Sequence, residues 1–399
     1  MRGRGSMLSA GLLIVMTVAG VLPVAAQEAS PAATPAGDDA AGWRVVEERA
    51  IAVDGEPVAL SPDGQWLAGL GPEREFCVWE VESLDAACDG EGLAIRPESI
   101  VWAPDSSAVA FSLNAAIYLI DSDVYVFEVA AGELRNLTDD GLDEVNLIGD
   151  DTEGPILIDD VPAWSPDSQS LVFARTRWDP EGRRGTVLAR IERDGGEPET
   201  LFSVDLNLPF AVYFPIWWLE GDRLLYSVLL PDLDDKRNGL WTAGLDASGA
   251  RQLLPGDSAA AVPAPWVTDV APDGRFATAY SRANQGRFAG EGNAFYRLDI
   301  ETGEPEPVLT GEEPEMRITI PPTLSPDGET LLFAVAGSGD VVLAAQNIKR
   351  GATSVLTGAI ELRGDGTLFG GLDWAENDTV LIPFGDASML LTLEAVDAD

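Results

Sequence analysis

A short turn returns along this chain so regularly that few folds can hold it. Ser61-Pro62-Asp63-Gly64, Ala103-Pro104-Asp105-Ser106, Ser165-Pro166-Asp167-Ser168, Ala271-Pro272-Asp273-Gly274 and Ser325-Pro326-Asp327-Gly328 are copies of it. Two worn copies, Trp218-Leu219-Glu220-Gly221-Asp222 and Trp374-Ala375-Glu376-Asn377-Asp378, bring the number to seven. Proline pre-sets φ at the second residue of a type I turn, aspartate tolerates the third, and glycine accepts the positive φ that follows. A type I turn followed by a left-handed residue is a common hairpin connection. Serine replaces glycine at Ser106 and Ser168, which predicts slight strain in those copies. Short apolar runs follow the turns, among them Trp66-Leu67-Ala68, Val109-Ala110-Phe111, Leu171-Val172-Phe173 and Leu331-Leu332-Phe333, and these read as strands.

A second hairpin signal follows each first one. Val124 to Thr138 is its clearest copy, with an alternating strand, a glycine-containing turn and a second strand ending at Leu137-Thr138. Leu240 to Leu254, Phe295 to Thr310 and Val341 to Thr357 repeat it. Four strands over roughly 40–60 residues is the period of a propeller blade or a solenoid unit, and the strand count selects the propeller. The expected fold is all-β: a seven-bladed β-propeller of four-stranded antiparallel blades. The last repeat ends with Ser388–Leu393 as its third strand. Trp43–Ile51 alternates like a strand and is the obvious filler for the fourth, so an N-terminal strand is expected to close the ring.

This pattern resembles the TolB-like, WD40-like (PD40) propeller repeat: an aromatic residue, Ser-Pro-Asp-Gly, an apolar strand, a second hairpin, then Leu-Thr. The resemblance covers residues 43–399. It implies a propeller of a group that serves envelope protein interactions. The match lies in the generic repeat, and one architecture hosts many functions, so no translocation role is carried over.

Targeting and charge narrow the setting. Met1-Arg-Gly-Arg-Gly is basic, Leu8 to Val24 is apolar, and Val24-Ala25-Ala26 suits signal peptidase. The expected organisation is a signal peptide at 1–26, a disordered Ala/Pro-rich acidic linker at 27–42 and the propeller at 43–399. That predicts a secreted or periplasmic protein with no membrane span once the signal is cleaved. The formal charge of -42, from 67 acidic and 25 basic residues, repels nucleic acid and anionic surfaces. Histidine is absent, which removes Ser-His-Asp and Cys-His catalysis and histidine metal ligands. Gly-x-Ser-x-Gly is absent as well. The expectation is therefore a monomeric, non-enzymatic scaffold that binds another protein or a small extracytoplasmic ligand. The rival class is a hydrolase or lyase acting on glycans or peptides through carboxylates at the axis mouth, such as Asp179 or Glu181.

Three groups of residues stand out. Aligning blade one on blade two puts Cys77 at the Tyr125 position and Cys88 at the Asn136 position, opposite each other on the outer hairpin. In an oxidising compartment this predicts a disulfide, contributing roughly 2–3 kcal/mol in the chain-entropy model. The connection from Asp139 to Asp160 is dense in acids, and Asp232, Asp234 and Asp235 make a second, smaller cluster. Calcium takes such oxygen ligands, but the spacing is not an Asp-x-Asp-x-Asp-Gly loop; solvated loops without a cofactor are expected. Arginines gather at Arg175, Arg177, Arg183 and Arg184 beside Trp178, with Arg282 and Arg287 further on. They can dock a partner by bidentate pairing, or they can neutralise the acidic connection next door. Both readings put the long charged loops on the face of the second turns and the inter-blade links, opposite the tight Ser-Pro-Asp turns.

Overall fold

The computed structural model describes residues 42–113, 121–142, 155–178, 184–203, 216–228, 235–255, 266–271, 274–281, 294–310, 317–336, 340–357, 360–361, 371–383 and 388–396. The chain divides into Met1–Pro35, which lies outside the described residues with the expected signal peptide, and Ala36–Asp399, which holds every described strand.

Seven antiparallel sheets follow one another in that second unit. The first strand, β1 (Trp43–Ala50), is set aside for the end of the ring. Blade one is β2 (Glu56–Leu60), β3 (Trp66–Leu70), β4 (Phe76–Glu80) and β5 (Ala86–Asp89). Blade two is β6 (Val101–Trp102), β7 (Ala108–Ser112), β8 (Val124–Glu128) and β9 (Glu133–Asn136). Blade three is β10 (Ile156–Trp164), β11 (Ser170–Trp178), β12 (Arg184–Glu192) and β13 (Glu199–Ser203). Blade four runs from β14 (Ile216–Leu219) to β17 (Arg251–Pro255), and blade five from β18 (Trp266–Val270) to β21 (Pro305–Thr310). Blade six runs from β22 (Arg317–Leu324) to β25 (Ala352–Val355), with β26 (Ile360–Glu361) as an extra partner of β24 (Asp340–Asn347). Blade seven is β27 (Asp373–Trp374), β28 (Thr379–Ile382) and β29 (Met389–Ala395), completed by β1 on its outer edge. The protein is a seven-bladed β-propeller closed by its N-terminal strand, as the repeat predicts.

The core is a ring of inter-blade layers. Phe76 and Val78 of blade one pack on Phe111 and Phe127 of blade two. Ala110 and Val126 of blade two meet Leu171 and Phe173 of blade three. Equivalent clusters join each later pair, and Leu381 and Leu390 of blade seven return to Leu60 and Leu67 of blade one. Both faces of each sheet are covered, which is why the strands read as apolar runs rather than as clean alternation.

The repeated turn has the geometry its residues demand. Gly64, Gly274 and Gly328 take φ of 71°, 63° and 68°, and Ser106 and Ser168 take 60° in the same place. Asp63 accepts the Gln65 N–H at 3.0 Å and the Ser61 hydroxyl at 2.6 Å, which locks the turn. The strained serines have a compensation invisible in one repeat. The Ser106 hydroxyl accepts the Asp63 N–H of the preceding blade at 3.1 Å, and the Ser168 hydroxyl accepts the Asp105 N–H at 3.1 Å. The turns thus stitch blades one, two and three along one face. Cys77 and Cys88 are directly opposite in the β4–β5 register and carry a disulfide of 2.00 Å.

Candidate functional site

Strand length breaks the symmetry of the ring at blade three. Strands β10, β11 and β12 have 9 residues each, whereas β7 and β8 of blade two have 5. Four further residues at about 3.4 Å each make these strands roughly 14 Å longer than β7 and β8. The rise is on the face of the second turns and inter-blade links, where β10 begins and β11 ends. Arg175, Arg177 and Trp178 therefore lie in a strand, not in a loop. Pairing continues to Trp178↔Arg184, because the alternating Arg175-Thr176-Arg177-Trp178 suits a strand with one face covered. Blade three likewise starts at Ile156, within the stretch read as an acidic connection up to Asp160: the aliphatics of Ile156-Leu157-Ile158 outweigh the acids after them.

A bulge turns this start into a polar seam against blade two. The β10–β11 register shifts between Asp160 and Ala163, and Val161 sits at φ 56°, a strained setting for a β-branched residue. Asp159 stays opposite Arg175 and is fully buried. Arg175 grips it with two bonds, Nε to Oδ1 at 2.7 Å and Nη2 to Oδ2 at 2.6 Å. Burial raises the Asp159 pKa against the pull of that guanidinium. Burial also works against the Arg175 charge, but the bonds to Asp159 and the nearby Asp123 and Asp140 keep its pKa above normal. Asp160 turns the other way. Its Oδ1 accepts the Ser112 hydroxyl at 2.5 Å and the Val161 N–H at 2.8 Å, and its Oδ2 takes Arg96 Nη1 at 2.7 Å.

Blade two supplies the opposite wall. Ser122 pairs in parallel with Ile158, its carbonyl accepting the Asp159 N–H at 2.7 Å and its hydroxyl donating to the Asp159 carbonyl at 2.9 Å. Asp121 and Asp123 flank it, 3% and 5% exposed. Asp123 takes the Asn136 amide at 2.7 Å and the Thr138 hydroxyl at 3.2 Å. Burial raises Asp123 to about 6, with the Asn136 bond pulling back. Asp121 is raised to about 8, by burial first and by Asp123 second. Its Oδ1 has no hydrogen-bond partner.

Asp121, Asp123, Arg96, Asn136 and Thr138 were absent from the sequence candidates. The available signal was Asp121-Ser122-Asp123 placed between apolar runs, since acids seldom stand there without partners. Of the arginine cluster, Arg175 is consumed by Asp159, and Arg177 is exposed at the rising end of β11. Arg184 pairs by backbone with Trp178; Arg183, Arg282 and Arg287 lie outside the described residues. The acidic connection is described only at its ends. At the second acidic cluster, Asp235 is held down to about 2 by the Arg237 guanidinium 2.6 Å away, and Asp232 and Asp234 lie outside the described residues. Glu75 lies beside Cys77 and Cys88, but sulfurs joined in a disulfide offer no thiolate to a metal.

Two more carboxylates sit near the axis. Asp269 and Asp373 occupy matched places on the innermost strands, and each reaches into the next blade. Asp269 accepts the Leu324 N–H at 2.8 Å and the Thr323 hydroxyl at 3.0 Å; Asp373 accepts the Leu60 N–H at 2.8 Å. Burial, helped by the charge of Asp269, raises Asp373 from 3.8 to about 7. The folded state then holds a proton that the unfolded chain has lost, so this stability is present below pH 4 and fades as pH rises through 7. Comparing Asp373→Asn with wild type, the melting temperatures should agree near pH 4, and the variant should melt higher at pH 8. A difference that does not change with pH rejects the assignment.

Comparison with solved structures comes back to the ring. Over 87% of this chain and 91% of theirs, two oligogalacturonate lyases superpose with a TM-score of 0.59: one in complex with manganese at 13% identity, one from Vibrio parahaemolyticus at 15%. TolB from Acinetobacter baumannii superposes with a TM-score of 0.44 at 13% identity, over 82% of this chain and 66% of that one. No family model matches the chain, and no curated protein does. At these identities the likeness shows the fold alone. It nonetheless corrects the expectation that the chain is not an enzyme. Matched propellers include lyases, so the missing histidine and Gly-x-Ser-x-Gly remove only the chemistries that need them.

Proposed function

We propose that this protein is an extracytoplasmic propeller with TolB-like repeats that recognises a partner or small ligand on the face where blade three rises. The height of the β10–β12 ridge carries this reading. Loops and edges presented by a rigid scaffold commonly carry function. Arg177 is exposed on that ridge, beside Trp178 in sequence, and arginine and tryptophan are frequent interface anchors. A buried pair, Asp159 with Arg175, fixes the ridge from within. The opposite face carries short turns already engaged in joining neighbouring blades.

The test is capture from an extracytoplasmic extract with three baits: wild type, Arg177→Ala with Arg183→Ala, and Glu301→Ala on the opposite face. A ligand of this ridge is retained by wild type and Glu301→Ala and lost by the double variant. Equal retention by all three rejects the ridge as the docking site.

A second reading is a lyase or hydrolase acting on acidic oligosaccharides, supported by the likeness to oligogalacturonate lyases. Arg177 then serves to pair a sugar carboxylate. Incubation with oligogalacturonate, with and without manganese, separates the two readings: a lyase gives unsaturated ends that absorb in the ultraviolet, a hydrolase gives new reducing ends without them, and a binding protein gives neither.

A further inference from the structure

We propose that the oxygen cluster of Asp121, Asp123 and Thr138, beside Asp159 in the seam between blades two and three, binds a calcium ion. Asp121 is 3% exposed, and its Oδ1 has no hydrogen-bond partner, although buried polar atoms nearly always have one. The charged groups that act on it most strongly are acids, namely Asp123, Asp140 and Asp159. Arg175 directs its Nε and Nη2 bonds to Asp159, and its charge acts on Asp123 and Asp140 as well. Arg96 is engaged by Asp160. An excess of negative charge therefore surrounds an oxygen that lacks a donor.

The backbone holds these groups ready. Asp121 and Asp123 flank Ser122, and residues two apart on extended chain project to the same side. Ser122 is fastened from both directions: its hydroxyl accepts the Leu113 N–H at 3.2 Å and donates to the Asp159 carbonyl at 2.9 Å. Thr138 is held in turn, its hydroxyl accepting the Val124 N–H at 2.9 Å while it donates to Asp123 at 3.2 Å. Every candidate ligand is oxygen. The chain has no histidine, and both of its cysteines are joined in the disulfide. An all-oxygen set rich in carboxylates selects a hard divalent cation over zinc or copper, and a site that need not be octahedral suits calcium better than magnesium.

This inference is independent of the docking ridge, and its test separates the two. The full chain is stripped with a chelator and titrated with calcium at constant pH 7.5, by calorimetry and by thermal melts. Wild type is expected to bind one calcium saturably and to melt higher with it. Asp121→Asn is expected to weaken binding about tenfold or more, since ligand charge sets calcium affinity. Without calcium the same variant should melt above wild type, because it removes a carboxyl group buried without a donor. That outcome also shows that it folds. Arg177→Ala with Arg183→Ala, and Glu199→Gln on the outer strand of blade three, should bind calcium as wild type does. Absence of saturable binding to wild type overturns the site. So does unchanged affinity in Asp121→Asn.

Discussion

A chain that begins at Asp54 should melt about ten degrees or more below one that begins at Gln27. The strand it lacks, β1, pairs with β29 from Trp43↔Ala395 to Ala50↔Met389. Its side chains tie three blades together. Trp43 packs edge-on against Trp374 of blade seven with ring centroids 4.8 Å apart, and its indole donates to Thr330 of blade six at 3.1 Å. The following Ile51 donates its N–H to Ser388 at 2.9 Å and packs in the layer between blades seven and one. Losing the segment bares the edge of β29 and uncovers two inter-blade layers. Trp43→Ala tests the largest single part and should destabilise by about 3–5 kcal/mol, the usual range for a large buried aromatic. If the shortened chain melts within two or three degrees of the longer one, by roughly the relation between stability and midpoint for a domain this large, β1 does not close the ring.

The fold could be read because it is specified locally and many times. A turn that needs proline, aspartate and a left-handed residue in order leaves few alternatives, and seven copies agree. What one repeat could not disclose was the use of its exceptions. Ser106 and Ser168 look like flaws in sequence, yet their hydroxyls bind the turn of the preceding blade. Blade three was misread at its start because Asp159 and Asp160 suggested solvent, whereas Ile156 and Ile158 decide the strand. The seam was harder still. Arg96 and Asp160 meet across 64 positions, and Ser112 and Asp160 across 48, so no spacing rule joins them. Of the arginine cluster only the choice between docking and neutralisation was legible, and for Arg175 the cross-strand register with Asp159 decides it.

That register makes Arg175→Ala the most damaging point substitution expected on this face. Asp159 is 0% exposed and takes two charge-assisted bonds from Arg175, so removal of the guanidinium leaves a buried carboxylate without its counter-ion. Breaking a buried pair from one side destabilises by about 3–5 kcal/mol. Arg177→Ala, two residues along the same strand but exposed, should change stability by less than about 1 kcal/mol, because surface pairs contribute little. The contrast tests burial rather than charge, since both substitutions delete one arginine from a net-acidic chain. Adding Asp159→Leu to Arg175→Met replaces the pair by apolar groups and should recover much of the loss, as a buried ion pair is rarely more stable than a well-packed apolar one. Chemical denaturation of these three variants and wild type reads the differences as midpoint shifts at constant slope. Equal, small losses from Arg175→Ala and Arg177→Ala would mean that Asp159 finds another donor or takes up a proton at no cost, and that the ridge is not fixed by this pair.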